Sequence, residues 1–191
     1  MTSFDLAYEG TPTWDLGRPQ AAVVRLETGG RIHGEVLDAG CGTGENALFL
    51  AERGHVVVGI DLAAAAVRRA EANARDRGVA AEFAVLDALL APQLGRSFDT
   101  VLDVGLFHTL ADNERVPYAR AMAAVSRPGG QMVLLCWSER NAWGLGPRRV
   151  SHMEIRGTFH DGWVVESIDD ETYETSLDVE IHAWLATLRR C

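Results

Sequence analysis

The residues of this chain best suited to chemistry begin with Asp38-Ala39-Gly40-Cys41-Gly42-Thr43-Gly44, which leaves the short apolar run Val36-Leu37. Glycines at alternate positions permit positive φ and let backbone N–H groups approach a ligand without a Cβ in the way. Dinucleotide-binding folds share such a turn, but their G-x-G-x-x-G pattern, begun at Gly40, needs a further glycine where Glu45 stands. A carboxylate at the start of a helix repels the pyrophosphate that those folds place there. With Asp38 at the strand end, the turn suits a ligand with a cationic tail. Asp61, 17 residues after Gly44, closes a second apolar run. An acid in that place accepts both hydroxyls of a ribose; as an N-cap of the next helix it would serve structure instead.

A second group of candidates is more scattered. His108 follows the apolar run that ends near Asp103. An imidazole there is a base, a partner that orients a ligand, or a ring packed beside the next helix. Tyr8, Trp14, Phe107 and Trp143 supply aromatic surface for a flat, mostly apolar ligand. Trp14 is either a lid over the site or a plug at the sheet edge. Arg148, in the glycine-punctuated loop that follows Trp137, offers charge for an oxygen or carboxylate. Absences narrow the chemistry too. All 18 basic residues are arginine, so neither a lysine Schiff base nor a P-loop lysine exists. A Tyr-x-x-x-Lys pair is missing for the same reason, which counts against a nicotinamide-dependent oxidoreductase.

Positioning these residues takes an alternation of strands and helices. Apolar runs predict strands over Val36–Asp38, Val56–Ile60, Glu82–Leu86, Thr100–Asp103 and Gln131–Trp137. Val56-Val57-Val58 and Met132–Leu135 are apolar throughout, as in parallel strands covered on both faces. Helices are predicted over Glu45–Arg53, stopped by Gly54, and over Ala63–Arg77, stopped by Gly78. A third spans Asn113–Ser126, capped by Asp112 and ended by an Arg127-Pro128-Gly129-Gly130 turn. Ser151-His152-Met153-Glu154 reads as a capping box. Trp163–Ile168 and Glu180–Leu188 read as strands whose link is too short for a crossover helix, hence an antiparallel hairpin. The expected fold is α/β: a Rossmann-like, doubly wound sheet of about seven strands, mostly parallel, with one antiparallel strand at the C-terminal end.

Composition sets outer bounds. At 191 residues and 47% hydrophobic, the chain can bury a sizeable core. A formal charge of −9 argues against nucleic acid as the main partner. Cys41, Cys136 and Cys191 form no C-x-x-C, which fits a reducing compartment and no metal. No secretory signal is legible, and no apolar run approaches roughly 18 residues. The expectation is a cytoplasmic protein that engages no membrane and works as a monomer or homodimer.

In their order and spacing these segments resemble the class I S-adenosyl-L-methionine (SAM)-dependent methyltransferases. Asp38–Gly44 looks like that family's first motif, Asp61 like its ribose acid, and Asp87-Ala88 like its adenine-edge pair. Ser97–Asp103 is similar to its fourth strand and Arg127–Gly130 to the turn before its fifth. The resemblance spans about residues 35–137. It implies SAM as cofactor, S-adenosyl-L-homocysteine (SAH) as product, and cofactor contacts from Trp14, Asp38, Gly40, Cys41, Gly42, Gly44, Asp61, Leu62, Asp87, Ala88 and Asp103. The lead-in resembles the small-molecule, thiopurine- and heterocycle-type members. On that footing, a small acceptor would be methylated on O, N or S, touching Tyr8, Phe107, Trp143 and Arg148, with His108 as the candidate catalytic group. Asp87 and Leu62 also have plain readings, as a turn cap and as core. The organisation expected is one domain over 1–191: a lead-in over 1–34, a SAM-binding core over 35–137, and an acceptor loop, helix and hairpin over 138–191. The rival functions are a SAM-binding regulator without catalysis and an NAD-dependent oxidoreductase.

Overall fold

The computed structural model describes residues 3–142, 144 and 146–191. Seven strands form one sheet: β1 (Glu35–Ala39), β2 (Val56–Asp61), β3 (Glu82–Val85), β4 (Phe98–Val104), β5 (Ser126–Trp137), β6 (Trp163–Thr172) and β7 (His182–Arg190). Their spatial order is β3-β2-β1-β4-β5-β7-β6. Strands β1 to β5 pair in parallel, while β7 runs antiparallel to both of its neighbours, β5 and β6. The one reversed strand is therefore β7, as the hairpin reading required. The helices are α1 (Ser3–Ala7), α2 (Ala21–Thr28), α3 (Glu45–Ala51), α4 (Ala64–Arg77), α5 (Asp112–Val125) and α6 (His152–Thr158).

Side-chain alternation along each strand feeds two layers. On one face Leu37 and Ala39 of β1 pack with Tyr118 and Met122 of α5. On the other, Val36 and Val57 pack with Leu50 of α3 and with Val23 and Leu26 of α2. Leu37 and Leu50 are fully buried, and each such side chain contributes roughly 1.5–3 kcal/mol relative to exposure. Chain order reverses between β1 and β4, and in open α/β sheets ligands gather beyond the strand ends at such a point.

The boundaries differ from expectation in physically simple ways. Helix α3 stops at Ala51, and Gly54 follows at φ 95° after a short turn. Helix α5 begins at Asp112 itself, because Glu114 reaches back to accept from the Ala111 N–H at 2.8 Å. The Arg127–Gly130 turn lies within β5 as a bulge. Ser126 pairs with Phe98 and Gln131 with Thr100, so the residues between them loop out. The capping box at α6 is as expected: Ser151 Oγ accepts from Glu154 N–H at 3.2 Å, and Glu154 accepts from Ser151 N–H at 2.8 Å.

Candidate active site

Beyond β1 the chain turns through Gly40, Gly42 and Gly44 at φ 73°, 55° and 83°. Space as well as torsion demands glycine. A Cβ on Gly40 would lie 2.8 Å from Leu106 Cβ, and one on Gly42 would lie 2.9 Å from the Tyr8 hydroxyl. The Gly40 and Cys41 N–H groups donate to the Ile60 carbonyl at 2.8 and 2.9 Å, hanging the loop on the end of β2. Asp61 completes the frame, accepting from Gly42 N–H at 2.9 Å on Oδ2 and from Ala63 N–H at 2.8 Å on Oδ1. Each oxygen keeps a second lone pair, so the acid that braces the turn can also accept two hydroxyls. Burial raises its pKa against the pull of those two N–H donors.

Asp38 stands behind the loop, buried, and its Oδ2 has no partner among the described residues. Burial, followed by the nearby Asp103 and Asp61 charges, pushes its carboxyl up to about 7. An unsatisfied buried acceptor costs roughly 1–3 kcal/mol. A cationic amino group, direct or through water, is the partner that would relieve it. Glu45 does not act alone as sequence reading supposed: Arg77 grips it at 2.6 and 2.7 Å. Unpaired acidic character beside the loop comes instead from Asp38, Asp61 and Asp15; Asp15, Asp61 and the Arg77-paired Glu45 are among the residues lining the cavity there.

That cavity is continuous and holds about 820 Å³. At one end lie Gly40–Thr43 of the glycine loop, Asp61, Leu62, Asp87 and Ala88. Asp38 lies behind them, and Gly44, an expected contact, is not among the lining residues, its α-carbon facing Phe83 and Ala70. Asp87 is the cap of a 3₁₀ helix, Ala88–Leu94, its Oδ1 accepting from Leu89 N–H at 2.9 Å. Ala88 opens that helix, where an N–H has no acceptor within its own helix. Leu62 is largely exposed to the cavity rather than in the core. Trp14 and Tyr8 form the roof. The indole N–H donates to the Tyr8 hydroxyl at 3.1 Å, with the rings edge-on at 6.3 Å. Tyr8, expected beside the Trp14 lid and against the acceptor, lines the cavity with its hydroxyl over Gly42. The lead-in is tied down from two sides: Thr43 donates to Asp15 at 2.9 Å, and Arg18 pairs with Glu174 at 3.0 and 3.1 Å.

The other end is walled by His108, Trp137 and Tyr173, with ring centroids 5.7, 6.1 and 6.5 Å apart. Trp137 N–H donates to His108 Nδ1 at 3.1 Å. Burial, with the Arg115 and Arg149 charges, lowers the His108 pKa to about 3. The ring is therefore neutral but a weak proton acceptor, and its Nδ1 lone pair is already taken by the Trp137 N–H. Of the roles the sequence allowed it, the geometry favours orienting a ligand over acting as a general base. Trp137 opened the loop read as an acceptor lid but was not singled out as a wall of the site, and Tyr173 was not noticed. Trp137 had a signal, because the last residue of a central parallel strand faces the ligand side. Tyr173 had none, since its place depends on how the hairpin folds back.

Two further expectations are corrected, for Phe107 and Asp103, and that for Arg148 is qualified. Phe107 is wholly buried, packed on Tyr118 and Phe159 at 6.2 and 5.4 Å with the Arg115 guanidinium 4.7 Å from its ring. Asp103 is wholly buried and braces the exit of β4. Its oxygens accept from Leu106 N–H at 2.9 Å, Phe107 N–H at 3.2 Å and the Tyr118 hydroxyl at 2.6 Å. Neither residue is among those lining the cavity. Arg148 reaches the rim, but Asp112 and Glu154 occupy its guanidinium. Cys41 lies in the loop, its thiol driven far up in pKa by burial, so it supplies packing and a backbone rather than a nucleophile. Trp143 lies outside the described residues.

Residues 36–130 match the family model of a methyltransferase domain. The chain is 35% identical over 161 residues to the 2-heptyl-1-hydroxyquinolin-4(1H)-one methyltransferase of Mycobacteroides abscessus, covering 82% of this chain and 70% of that protein. It is 30% identical over 147 residues to Probable thiol methyltransferase 2 of Arabidopsis thaliana, covering 76% and 65% of the two chains. A solved structure from work on the conversion of a disulfide bond into a thioacetal group during echinomycin biosynthesis matches at TM-score 0.90 and 37% identity, over 98% of this chain and 90% of that one. The orphaned acid behind a glycine cradle fits the amino end of SAM, and similarity on this scale makes the fit one of descent: the chain belongs to the SAM-dependent methyltransferases.

Proposed function

We propose that this enzyme methylates a compact, mostly apolar, aromatic or heterocyclic small molecule on O, N or S by in-line displacement. The observation that carries the reading is one continuous cavity of about 820 Å³ with an acidic glycine-lined end and an aromatic end. Two relatives bear names that specify a hydroxyquinolone and a thiol as acceptors, which supports an acceptor of that size. In this reading Asp38 answers the amino group of SAM, Asp61 its ribose hydroxyls, and Asp87 with the Ala88 N–H its adenine edge. Leu62 packs on the adenine face, and the backbone of Gly40–Gly44 wraps the chain between them. When bound, SAM supplies a methyl group on a sulfonium that is already a good leaving group.

What the residues of the chain contribute is alignment and the exclusion of water, and positioning alone supplies roughly 7–11 kcal/mol of barrier lowering. Trp14 and Tyr8 close the mouth over the loop. The acceptor lies against Trp137, Tyr173 and His108. The lead-in 1–34, core 35–137 and segment 138–191 then work as one domain, without nucleic acid. Among the described residues no helix is long and apolar enough to cross a membrane.

Thermal-shift measurement with SAH, followed by transfer of labelled methyl from SAM to phenols, heterocyclic hydroxyls, ring nitrogens and thiols, tests the proposal. SAH should stabilise the protein and at least one class should take label. Stabilisation without label in any class would favour a SAM-binding regulator instead.

A further inference from the structure

The aromatic wall carries a constraint on the tautomer of His108. Nδ1 accepts the Trp137 N–H at 3.1 Å, so its lone pair is committed and the proton of the neutral ring resides on Nε2. Among the described residues no group accepts from Nε2, and the ring lines the cavity. Tyr173 lines the same corner, its ring centroid 5.7 Å from that of His108. Its hydroxyl lies over Gly105, where an added Cβ would come within 2.5 Å, and it too has no partner among the described residues. The charged groups facing this corner are Arg115 and Arg149 near His108, and Asp103 near Tyr173. Arg115 pairs with Glu154 at 3.0 Å, and the Arg149 guanidinium lies 5.2 Å from the Trp137 ring centroid.

We infer that His108 Nε2–H and Tyr173 O–H form a two-donor seat for the reacting atom of the acceptor, and that the seat takes an anionic oxygen or sulfur attached to a ring. This rests on the small-molecule reading and narrows it. A base would need a free imidazole lone pair, and this ring has none. The acceptor instead gives its proton to water before it binds. Its lone pair then forms the bond to the methyl carbon as the carbon–sulfur bond breaks, and that bond's electrons go to sulfur. One negative and one positive charge cancel, and no protein group gains or loses a proton. The two donors favour the charged form of an acceptor over a neutral phenol, while Arg115, paired with Glu154, and Asp103 near Tyr173 offset one another.

The probe is 4-nitrophenol, whose anion absorbs apart from its neutral form, titrated onto SAH-loaded protein below its own ionisation midpoint. It should bind as the anion, with that midpoint lowered by about one pH unit or more, because hydrogen bonds to a charged group are worth ~1.5–3 kcal/mol. His108→Gln, which keeps an N–H near the place of Nε2, should retain the signal. His108→Asn keeps an acceptor for the Trp137 N–H but withdraws the donor; it and Tyr173→Phe should each weaken anion binding roughly tenfold, with SAH affinity by calorimetry unchanged. Neutral binding of the probe, no binding to SAH-loaded protein, or full anion binding by His108→Asn and Tyr173→Phe would overturn the seat. An anion bound as stated, with no labelled methyl reaching any acceptor, would instead overturn the transferase reading and leave the seat standing.

Discussion

Asp61→Asn separates the framework of the site from its hold on a ligand. The carboxylate accepts Gly42 N–H on one oxygen at 2.9 Å and Ala63 N–H on the other at 2.8 Å. An amide can accept only one of these and turns its NH₂ toward the other donor. The lost bond is one to a charged group, worth roughly 1.5–3 kcal/mol. Asp61 is only partly buried, so water recovers part of that and the low end, about 1.5 kcal/mol, is expected. Independently, the amide withdraws one acceptor from the ribose. The hydroxyl left unpaired costs about another 1.5–3 kcal/mol, or roughly tenfold to a hundredfold in affinity. Urea unfolding without ligand should therefore show the first loss, and calorimetry with SAH on the folded variant should show the second. A stability loss accompanied by SAH affinity within about twofold of wild type would refute the hydroxyl assignment and leave Asp61 as a brace.

The other expectations are more direct. Asp38 holds its proton in the ligand-free fold up to about pH 7, well above an ordinary carboxyl, so raising the pH through that window charges a buried oxygen and destabilises the free protein. An ammonium supplies the missing counter-charge, so SAH affinity should rise between about pH 5 and pH 7, by at most tenfold per unit, with proton release seen by calorimetry in buffers of different ionisation heat. Flat affinity across that range would count against Asp38 as the amino-group partner. Phe107→Ala should cost about 3–5 kcal/mol in urea unfolding with SAH affinity intact where the protein is folded. Trp14→Ala should weaken SAH binding by about 0.5–2 kcal/mol, read as a faster dissociation rate. Arg18→Gln removes a half-exposed ion pair with Glu174 and should shift stability by less than about 1 kcal/mol.

Local sequence made the cofactor half of the site legible because it is local in the chain. Gly40, Gly42 and Gly44 follow one strand and Asp61 ends the next, so parallel pairing of β1 with β2 is enough to bring them together. The same alternation gave the fold class and the mostly parallel sheet, while the strand order came from the structure. The acceptor half was harder to read because its parts come from β4, β5 and the β6–β7 connection. His108 was visible as a residue, but its role depends on the backbone N–H of Trp137, which no side-chain pattern announces. Phe107 and Asp103 misled because the chain turns sharply after β4. Two N–H groups fold onto Asp103, and that turn drives Phe107 under α5 rather than into the cavity. Arg148 does line the cavity, but its ion pairs were not legible, because Asp112 and Glu154, distant and near in sequence, converge on it.

The position of β7 between β5 and β6 has a consequence for biogenesis. Its two neighbours both precede it in the chain, so on the ribosome β6 waits without a partner until β7 emerges and slots between them. The loop bearing Asp38 to Gly44 and the strand ending in Asp61 have been synthesised long before then. The Tyr173 side of the chamber is therefore enclosed last, together with the Glu174 anchor that ties the lead-in over the site.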